Sequence, residues 1–313
     1  MKWNKKGLIF SADGRYDWME QFAMLPTPLL INDKCLRIFI GFCDKNNVGR
    51  IGYVDVNPSN PSEIISISEK PVLDIGEPGC FDDNGVVPVS IIRKDDKVYL
   101  YYIGFQLGVK IPYYMFCGLA ISNDNGETFK KYSKCPILDR NNEQIFARCG
   151  VNVINEDEPW GVAYKMWYIG TIGKGWVKNK YTNKEKPLYT MFSALSDDGI
   201  HWLDNPYKCM EFLNEDEHGF GRPFVWKENS LYKMLYSIRT YSRGYYIGYA
   251  ESEDGIKWIR KDNEAGITLS KEGWDNENIS YPYITKFKDK TYLFYNGNGC
   301  GKTGFGYAEL EKQ

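Results

Sequence analysis

The chain has 313 residues, with 39 Lys and Arg against 41 Asp and Glu and a formal net charge of −2 at pH 7. Proteins that bind phosphate backbones draw affinity from a basic excess that releases counterions; this balance offers none, so nucleic acid is not an expected partner. The apolar stretches, such as Ile38-Phe-Ile-Gly-Phe-Cys43, are strand-sized, far short of the ~20 residues of a bilayer span.

The N-terminal Met1-Lys-Trp-Asn-Lys-Lys6 is basic, but only Gly7–Phe10 is apolar before Ser11. That is too short for a secretory signal, so a cytoplasmic location is expected, and residues 7–10 read as a lone strand. Eight cysteines occur without a Cys-x-x-Cys pair, beside two histidines, His201 and His218. Free thiols are therefore expected, with no metal site and no cofactor. Aromatic residues make up 16% of the chain (24 Tyr, 16 Phe, 9 Trp), accompanied by 30 Gly. Aromatic side chains suit pleated sheets and Gly suits tight turns, so the fold class is all-β.

An aromatic strand closing on a small residue recurs along the chain: Cys35-Leu-Arg-Ile-Phe-Ile-Gly41, Tyr99-Leu-Tyr-Tyr-Ile-Gly104, Tyr164-Lys-Met-Trp-Tyr-Ile-Gly170, Tyr232-Lys-Met-Leu-Tyr-Ser237 and Tyr292-Leu-Phe-Tyr-Asn-Gly297. Each copy follows a strand, often proline-led: Thr27–Ile31, Val87–Ile92, Gly150–Ile154, Arg222–Trp226 and Tyr281–Thr285. Proline is tolerated at a strand's first residue, where no ladder bond is lost. A third strand follows in each copy: Arg50–Asp55, Cys117–Ser122, Met191–Ser196, Tyr246–Ser252 and Phe305–Glu309. In the middle three copies it runs into an acidic Gly turn around Asp124, Asp198 or Asp254, which reads as structural.

Five repeats of three or four strands, with no long amphipathic helix, describe one five-bladed β-propeller with a pocket in its central channel. The blades are expected at about 20–58, 80–133, 146–205, 217–262 and 274–310, in one domain over 1–313, with strand 7–10 closing the last blade.

Residues just before the first strands converge at one mouth of such a ring. Asp83, Glu217 and Glu277 lie five or six residues before Pro88, Pro223 and Pro282. Carboxylates around one cavity are what glycosidic-bond chemistry requires, one as acid and one as base or nucleophile, so these three are the catalytic candidates. Arg148, Arg222, Arg239 and Arg243 are placed to bind an anionic group. His218 is a candidate proton shuttle, although a lone histidine is more often a packing residue. Tyr102, Trp226, Trp274 and Tyr281 are candidates to stack on sugars. Asp82, Asp275 and Asn296 complete the substrate-binding candidates. Each has a plainer reading as a loop, cap or core residue.

The segments Phe81–Ser90, Gly118–Ser122, Pro136–Arg140, Gly221–Val225, Ile247–Ser252, Gly273–Glu277, Tyr295–Gly299 and Thr303–Tyr307 resemble the five-bladed propeller glycosidase superfamily, glycoside hydrolase families 32, 43, 68 and 130. They most resemble a bacterial group of hydrolase-like propellers associated with surface-polysaccharide assembly. The resemblance implies a carbohydrate or nucleotide-sugar ligand. It also marks two departures. Where family 43 implies an Asp before the first-blade proline and a Glu-Gly-Pro element later, this chain has Thr27-Pro28 and Gly221-Arg222-Pro223. The family 32 Asn-Asp-Pro is absent as well. The leading expectation is a glycoside hydrolase-like enzyme, cleaving or transferring a glycosyl group by carboxylate acid/base chemistry, with an anionic sugar or glycan as substrate. The alternatives are a non-catalytic glycan- or nucleotide-sugar-binding propeller and a protein-interaction scaffold.

Overall fold

A computed structural model describes residues 1–156 and 163–311. The aromatic and β-branched segments form strands and the Gly- and Asp-rich segments form turns, as their pleat and φ preferences dictate. After β1 (Trp3–Phe10) come four groups of four: β2 (Gln21–Asn32) to β5 (Asn60–Ile67), through β3 (Cys35–Cys43) and β4 (Gly49–Asn57); β6 (Val86–Lys94), β7 (Lys97–Leu107), β8 (Tyr113–Ser122) and β9 (Lys130–Lys131); β10 (Ala147–Asn155), β11 (Tyr164–Lys178), β12 (Glu185–Ser196) and β13 (Tyr207–Lys208); and β14 (Glu217–Glu228), β15 (Leu231–Thr240), β16 (Gly244–Ser252) and β17 (Ile259–Arg260). The last group, β18 (Ser280–Phe287), β19 (Lys290–Asn296) and β20 (Phe305–Leu310), is completed by β1, which pairs antiparallel with β20.

Within each group successive strands pair antiparallel. The groups are not all separate sheets, however. Parallel bridges from Ala147 and Arg148 to Met115 and Phe116, and from Tyr189 to Gly219, join the middle three into one 12-stranded sheet flanked by two of four. These groups merge because the N-terminal ends of β10 and β14 run close enough to the preceding group's third strand to bond it.

The first strands touch in a closed cycle, β2 on β6, β6 on β10, β10 on β14, β14 on β18 and β18 on β2. The apolar core follows the same order. Val87, Tyr101 and Met115 pack against Cys149, Met166 and Tyr168 between the second and third groups. Ile38, Ile40 and Phe42 pack against Phe294 and Phe305, joining the last group to the first. The acidic turns pin neighbouring groups: Tyr101 Oη donates to Gly199 O at 2.8 Å, Trp167 Nε1 to Gly255 O at 2.7 Å and Arg37 Nη1 to Gly126 O at 3.0 Å.

The prolines sit differently from the sequence expectation. β14 begins at Glu217 and β2 at Gln21, well before Pro223 and Pro28. Every first strand instead carries a register shift at an equivalent place, between Met24 and Thr27, Pro88 and Ser90, Cys149 and Asn152, Gly221 and Phe224, and Ser280 and Tyr283. Pro26, Pro223 and Pro282 fall inside these bulges, where the ladder already lacks a bond and a missing N–H costs nothing. Among the described residues no helix is long and apolar enough to cross a membrane.

Candidate functional site

The bulges turn residues of all five first strands toward one cavity of about 130 Å³, bordered by Leu25 of β2, Val87 of β6, Gly150 of β10, Arg222 of β14 and Tyr281 of β18. It shares Met24, Val87, Phe105 and Tyr113 with a wider cleft of about 740 Å³ between the first two groups. Leu25 and Tyr281 hold left-handed backbone, at φ 55° and 56°. Such conformations cost about 1–3 kcal/mol and persist only where surroundings fix them. Here Asn296 Oδ1 accepts the Leu25 N–H and Ser237 Oγ accepts the Tyr281 N–H, each at 2.7 Å.

Arg222 is the hub. From β14 its guanidinium donates to Val89 O on β6 at 3.1 Å, to Pro26 O and Thr27 Oγ1 on β2 at 2.8 and 2.7 Å, and to Tyr281 O on β18 at 3.4 Å. It also lies over the Tyr283 ring. Burial pulls its pKa down to about 9, which leaves it protonated at neutral pH.

Arg239, on β15, borders the same cavity and is only 8% exposed. Its Nη1 donates to the Tyr189 hydroxyl, and the guanidinium lies 4.9 Å from the Tyr189 ring centroid and 5.2 Å from that of Tyr245. Its Nε has no hydrogen-bond partner among the described residues. Gly219, opposite in the ladder, makes room: an added Cβ would come 3.0 Å from Tyr189 and 3.3 Å from the Arg239 Cδ. Behind them His218 stacks on Tyr241 at 4.6 Å and donates from Nδ1 to Pro187 O at 3.3 Å. Burial, with Arg239 nearby, pushes the imidazole down to about 4, so it is neutral at pH 7. Burial and then Arg239 also lower the Lys186 ammonium. The Cys300 thiol reaches the hydroxyls of Tyr281 and Tyr245 and is raised by burial.

Of the residues singled out in the sequence, Arg222, Arg239 and Tyr281 border this cavity and His218 adjoins it. The candidate carboxylates do not. Glu217 is buried and held by Arg260, with Nη1 and Nη2 at 2.7 and 2.8 Å. Asp82 accepts the Tyr102 hydroxyl at 2.9 Å and pairs with Lys131 at 2.6 Å. Asp275 does the same with Tyr295 at 3.0 Å and Lys5 at 2.6 Å. Tyr236 with Asp262 and Tyr168 with Gln144 repeat the contact. In the second and last groups the acid ahead of the first strand is thus a latch that ties the second-strand tyrosine and a lysine of the outermost strand to its own group; Gln144 takes the tyrosine in the third group, and Asp262, which follows β17, takes it in the fourth. These contacts hold Asp82, Asp275 and Glu217 away from the cavity lining, where the sequence predicts substrate-binding and catalytic groups.

Asp83 accepts the Gly79 N–H at 2.8 Å and borders a separate cleft of about 380 Å³ with Pro78 and Gln106. Glu277 is exposed on the loop before β18, its N–H held by Asn298 Oδ1 at 2.8 Å. Arg148 points into its own group, donating to Asp139 O at 2.7 Å and pairing with Asp204 at 2.9 Å. Arg243 is exposed, over the Tyr246 ring. Trp274 stacks on Tyr295, and Tyr102 serves the latch described above. Asn296, fully buried, bonds Leu25 N, Ala23 O and Gly304 O and so ties β19 to β2. Trp226 lines a different cleft, with Trp3 and Phe224.

Tyr113, Tyr189, Tyr245 and Lys186 went unseen in the sequence. The expected third strands opened at Cys117, Met191 and Tyr246, whereas β8, β12 and β16 begin at Tyr113, Glu185 and Gly244. All four residues fall in these extensions. An aromatic residue standing shortly before each expected strand was the available signal.

The arrangement is that of a glycoside hydrolase propeller fold. A structure of BT0996 in complex with RGII superposes with a TM-score of 0.74 at 18% identity, over 99% of this chain and 92% of that protein. A thermostable family 43 glycoside hydrolase gives 0.71 at 16%, over 94% and 91%. A Bombyx mori family 32 β-fructofuranosidase mutant with sucrose gives 0.61 at 14%, over 93% and 61%. No family model matches the chain. In sequence, the uncharacterized protein Rv1502 of Mycobacterium tuberculosis (strain ATCC 25618 / H37Rv) is 33% identical over 311 residues, 99% of this chain and 100% of that protein. The uncharacterized protein MT1551 of strain CDC 1551 / Oshkosh matches to the same extent. The chain belongs to the family of these two mycobacterial proteins.

Proposed function

We propose that the protein is a five-bladed, glycoside hydrolase-like propeller whose central cavity binds a saccharide and does not cleave it with a carboxylate pair. The closed cycle of first strands supports five blades, with boundaries near 20–58, 80–133, 146–205, 217–262 and 274–310. The observation that carries the reading is the lining: no Asp or Glu borders the cavity among the described residues. Glycosidic hydrolysis needs two carboxyl groups facing one sugar, about 5–5.5 Å apart for retention or 6.5–9.5 Å for inversion. At the places where the resemblance implies them stand Thr27, bonded to Arg222, and Gly221, where an added Cβ would come 3.2 Å from Ser237 and 3.3 Å from Tyr281. The lining favours the sugar-binding alternative over a carboxylate enzyme, and the resemblance suggests surface-polysaccharide assembly as its setting.

The test is a thermal-shift and ligand-depletion screen of neutral oligosaccharides, sugar phosphates and nucleotide sugars. It is run on the wild type and on an Asp83→Asn/Glu277→Gln double variant. Stabilisation without turnover, equal in both proteins, is expected. Turnover by the wild type that disappears in the double variant would restore the enzymatic reading.

A further inference from the structure

We propose that Arg239 is the centre of an anion subsite in this cavity and that the saccharide bound there carries a phosphate group. The proposal rests on the saccharide reading above and names its ligand class.

A buried guanidinium is ordinarily matched by a carboxylate, because taking a charge out of water is costly unless it is paired. Arg239 is buried and forms no salt bridge among the described residues, its contacts being the Tyr189 hydroxyl and the Tyr189 and Tyr245 rings. Phenol rings on two sides and one hydroxyl offset part of that cost. They leave Nε without an acceptor, and Nη2 makes no hydrogen bond to the described residues either. The Nε–Nη2 edge is the fork that engages two oxygens of one anionic group. Gly219 leaves room for the Arg239 Cδ and the Tyr189 ring, which set where the guanidinium lies.

A second cation indicates the charge expected of the ligand. Lys186 lies on β12, the strand that carries Tyr189, and is half-buried with no ion pair among the described residues; burial first, and then the Arg239 charge, lower its pKa. Arg239, held by the Tyr189 hydroxyl, and Lys186 on the same strand as that tyrosine supply two positive charges without a carboxylate partner among the described residues, which suits a dianion. A phosphate monoester carries about −1.5 to −2 at pH 7, whereas a uronate carries a single charge. Arg222 does not compete, since its donors already reach four backbone or side-chain oxygens. The Tyr245 and Tyr281 side chains at the cavity and the rings of Phe105 and Tyr113 at the wider cleft provide the surface for the sugar.

The test is calorimetric titration of the full chain with inorganic phosphate and glucose 1-phosphate, with glucose and glucuronate as neutral and singly charged comparisons. Inorganic phosphate is expected to bind, and glucose 1-phosphate about tenfold or more tighter than glucose. Arg239→Lys should weaken both phosphate ligands by about tenfold, because an ammonium keeps the charge and loses the fork. Lys186→Gln should weaken them by a smaller factor. If Arg239→Lys fails to fold by circular dichroism, Lys186→Gln and the wild-type comparison of glucose 1-phosphate with glucose decide alone. Equal binding of glucose and glucose 1-phosphate would overturn the anion subsite and leave the saccharide reading intact. Glucuronate binding as tightly as glucose 1-phosphate would overturn the phosphate assignment. Phosphate binding lost in Arg239→Lys, with no saccharide bound in the wider screen, would support the subsite and overturn the saccharide reading.

Discussion

Arg222 Nη2 donates to Thr27 Oγ1 at 2.7 Å, joining two residues 195 positions apart. One belongs to the element that stands where the resemblance to family 43 implies Glu-Gly-Pro, and the other stands where it implies an Asp, so the two departures from that pattern touch. A carboxylate at position 27 would form an ion pair with Arg222. The hydroxyl instead accepts one hydrogen bond and leaves the guanidinium free to gather carbonyls from neighbouring strands.

That geometry makes Arg222 a stability residue. Arg222→Met would leave Val89 O, Pro26 O and Thr27 Oγ1 without their donor, and each buried orphan costs about 1–3 kcal/mol. Urea unfolding should show a loss of about 3 kcal/mol or more. A loss under about 1 kcal/mol would mean that water or rearranged backbone replaces the hub.

The latches separate stability from binding. Asp275→Ala removes the acceptor of the Tyr295 hydroxyl and the partner of Lys5, which comes from the N-terminal strand. We expect a loss of about 2–4 kcal/mol, since breaking a buried pair strands its partners. Ligand affinity should stay within about twofold, because sites this independent are nearly additive. Affinity falling in step with stability would return Asp275 to the binding site.

Most of the architecture was legible because it repeats. The aromatic strands ending at Gly41, Gly104, Gly170, Ser237 and Gly297 lie in β3, β7 and β11, in β15, and at or just beyond the end of β19. The acidic turns at Asp124, Asp198 and Asp254 were read as structural, and their serines and backbone amides close on those carboxylates. The site was less legible for a physical reason. Asp82 and Asp275 precede first strands just as catalytic acids would, and only the tyrosine hydroxyl and lysine facing them in space show that they are latches. Spacing also gave no sign that the prolines mark bulges, and it is the bulges that turn Leu25, Arg222 and Tyr281 toward the cavity.

His218 gives the fold an acid limit. An unfolded histidine titrates near 6.5, whereas burial and Arg239 bring the folded imidazole down to about 4. The unfolded chain therefore takes up the proton first as pH falls. The stability tied to the neutral ring is complete above about 6.5 and is lost progressively toward pH 4, up to about 3 kcal/mol. Denaturation curves at pH 7.5 and 5 should show this slope, and His218→Asn, which keeps a donor toward Pro187 O, should flatten it. An unchanged slope in the variant would assign the acid sensitivity to other groups.

Gly219→Ala tests the cavity with a single methyl group. Gly219 lies in β14 opposite Arg239 in the ladder, and its φ is not in the left-handed region. Alanine therefore meets no backbone strain, and any effect comes from space alone. The added Cβ would come 3.0 Å from Tyr189 Cε2 and 3.3 Å from Arg239 Cδ, so one of the two must give way. Tyr189 is packed among Ala147, Cys149 and Phe192 in the core, while the cavity beside Arg239 is open. The arginine should move, at about 1–3 kcal/mol for overpacking. Displacing the fork by even a fraction of an ångström should weaken phosphate binding several-fold while neutral-sugar binding changes less. Equal loss for both ligands would mean that Gly219 serves packing alone. Loss confined to the phosphate would place Tyr189, Gly219 and Arg239 together as one device for holding an anion.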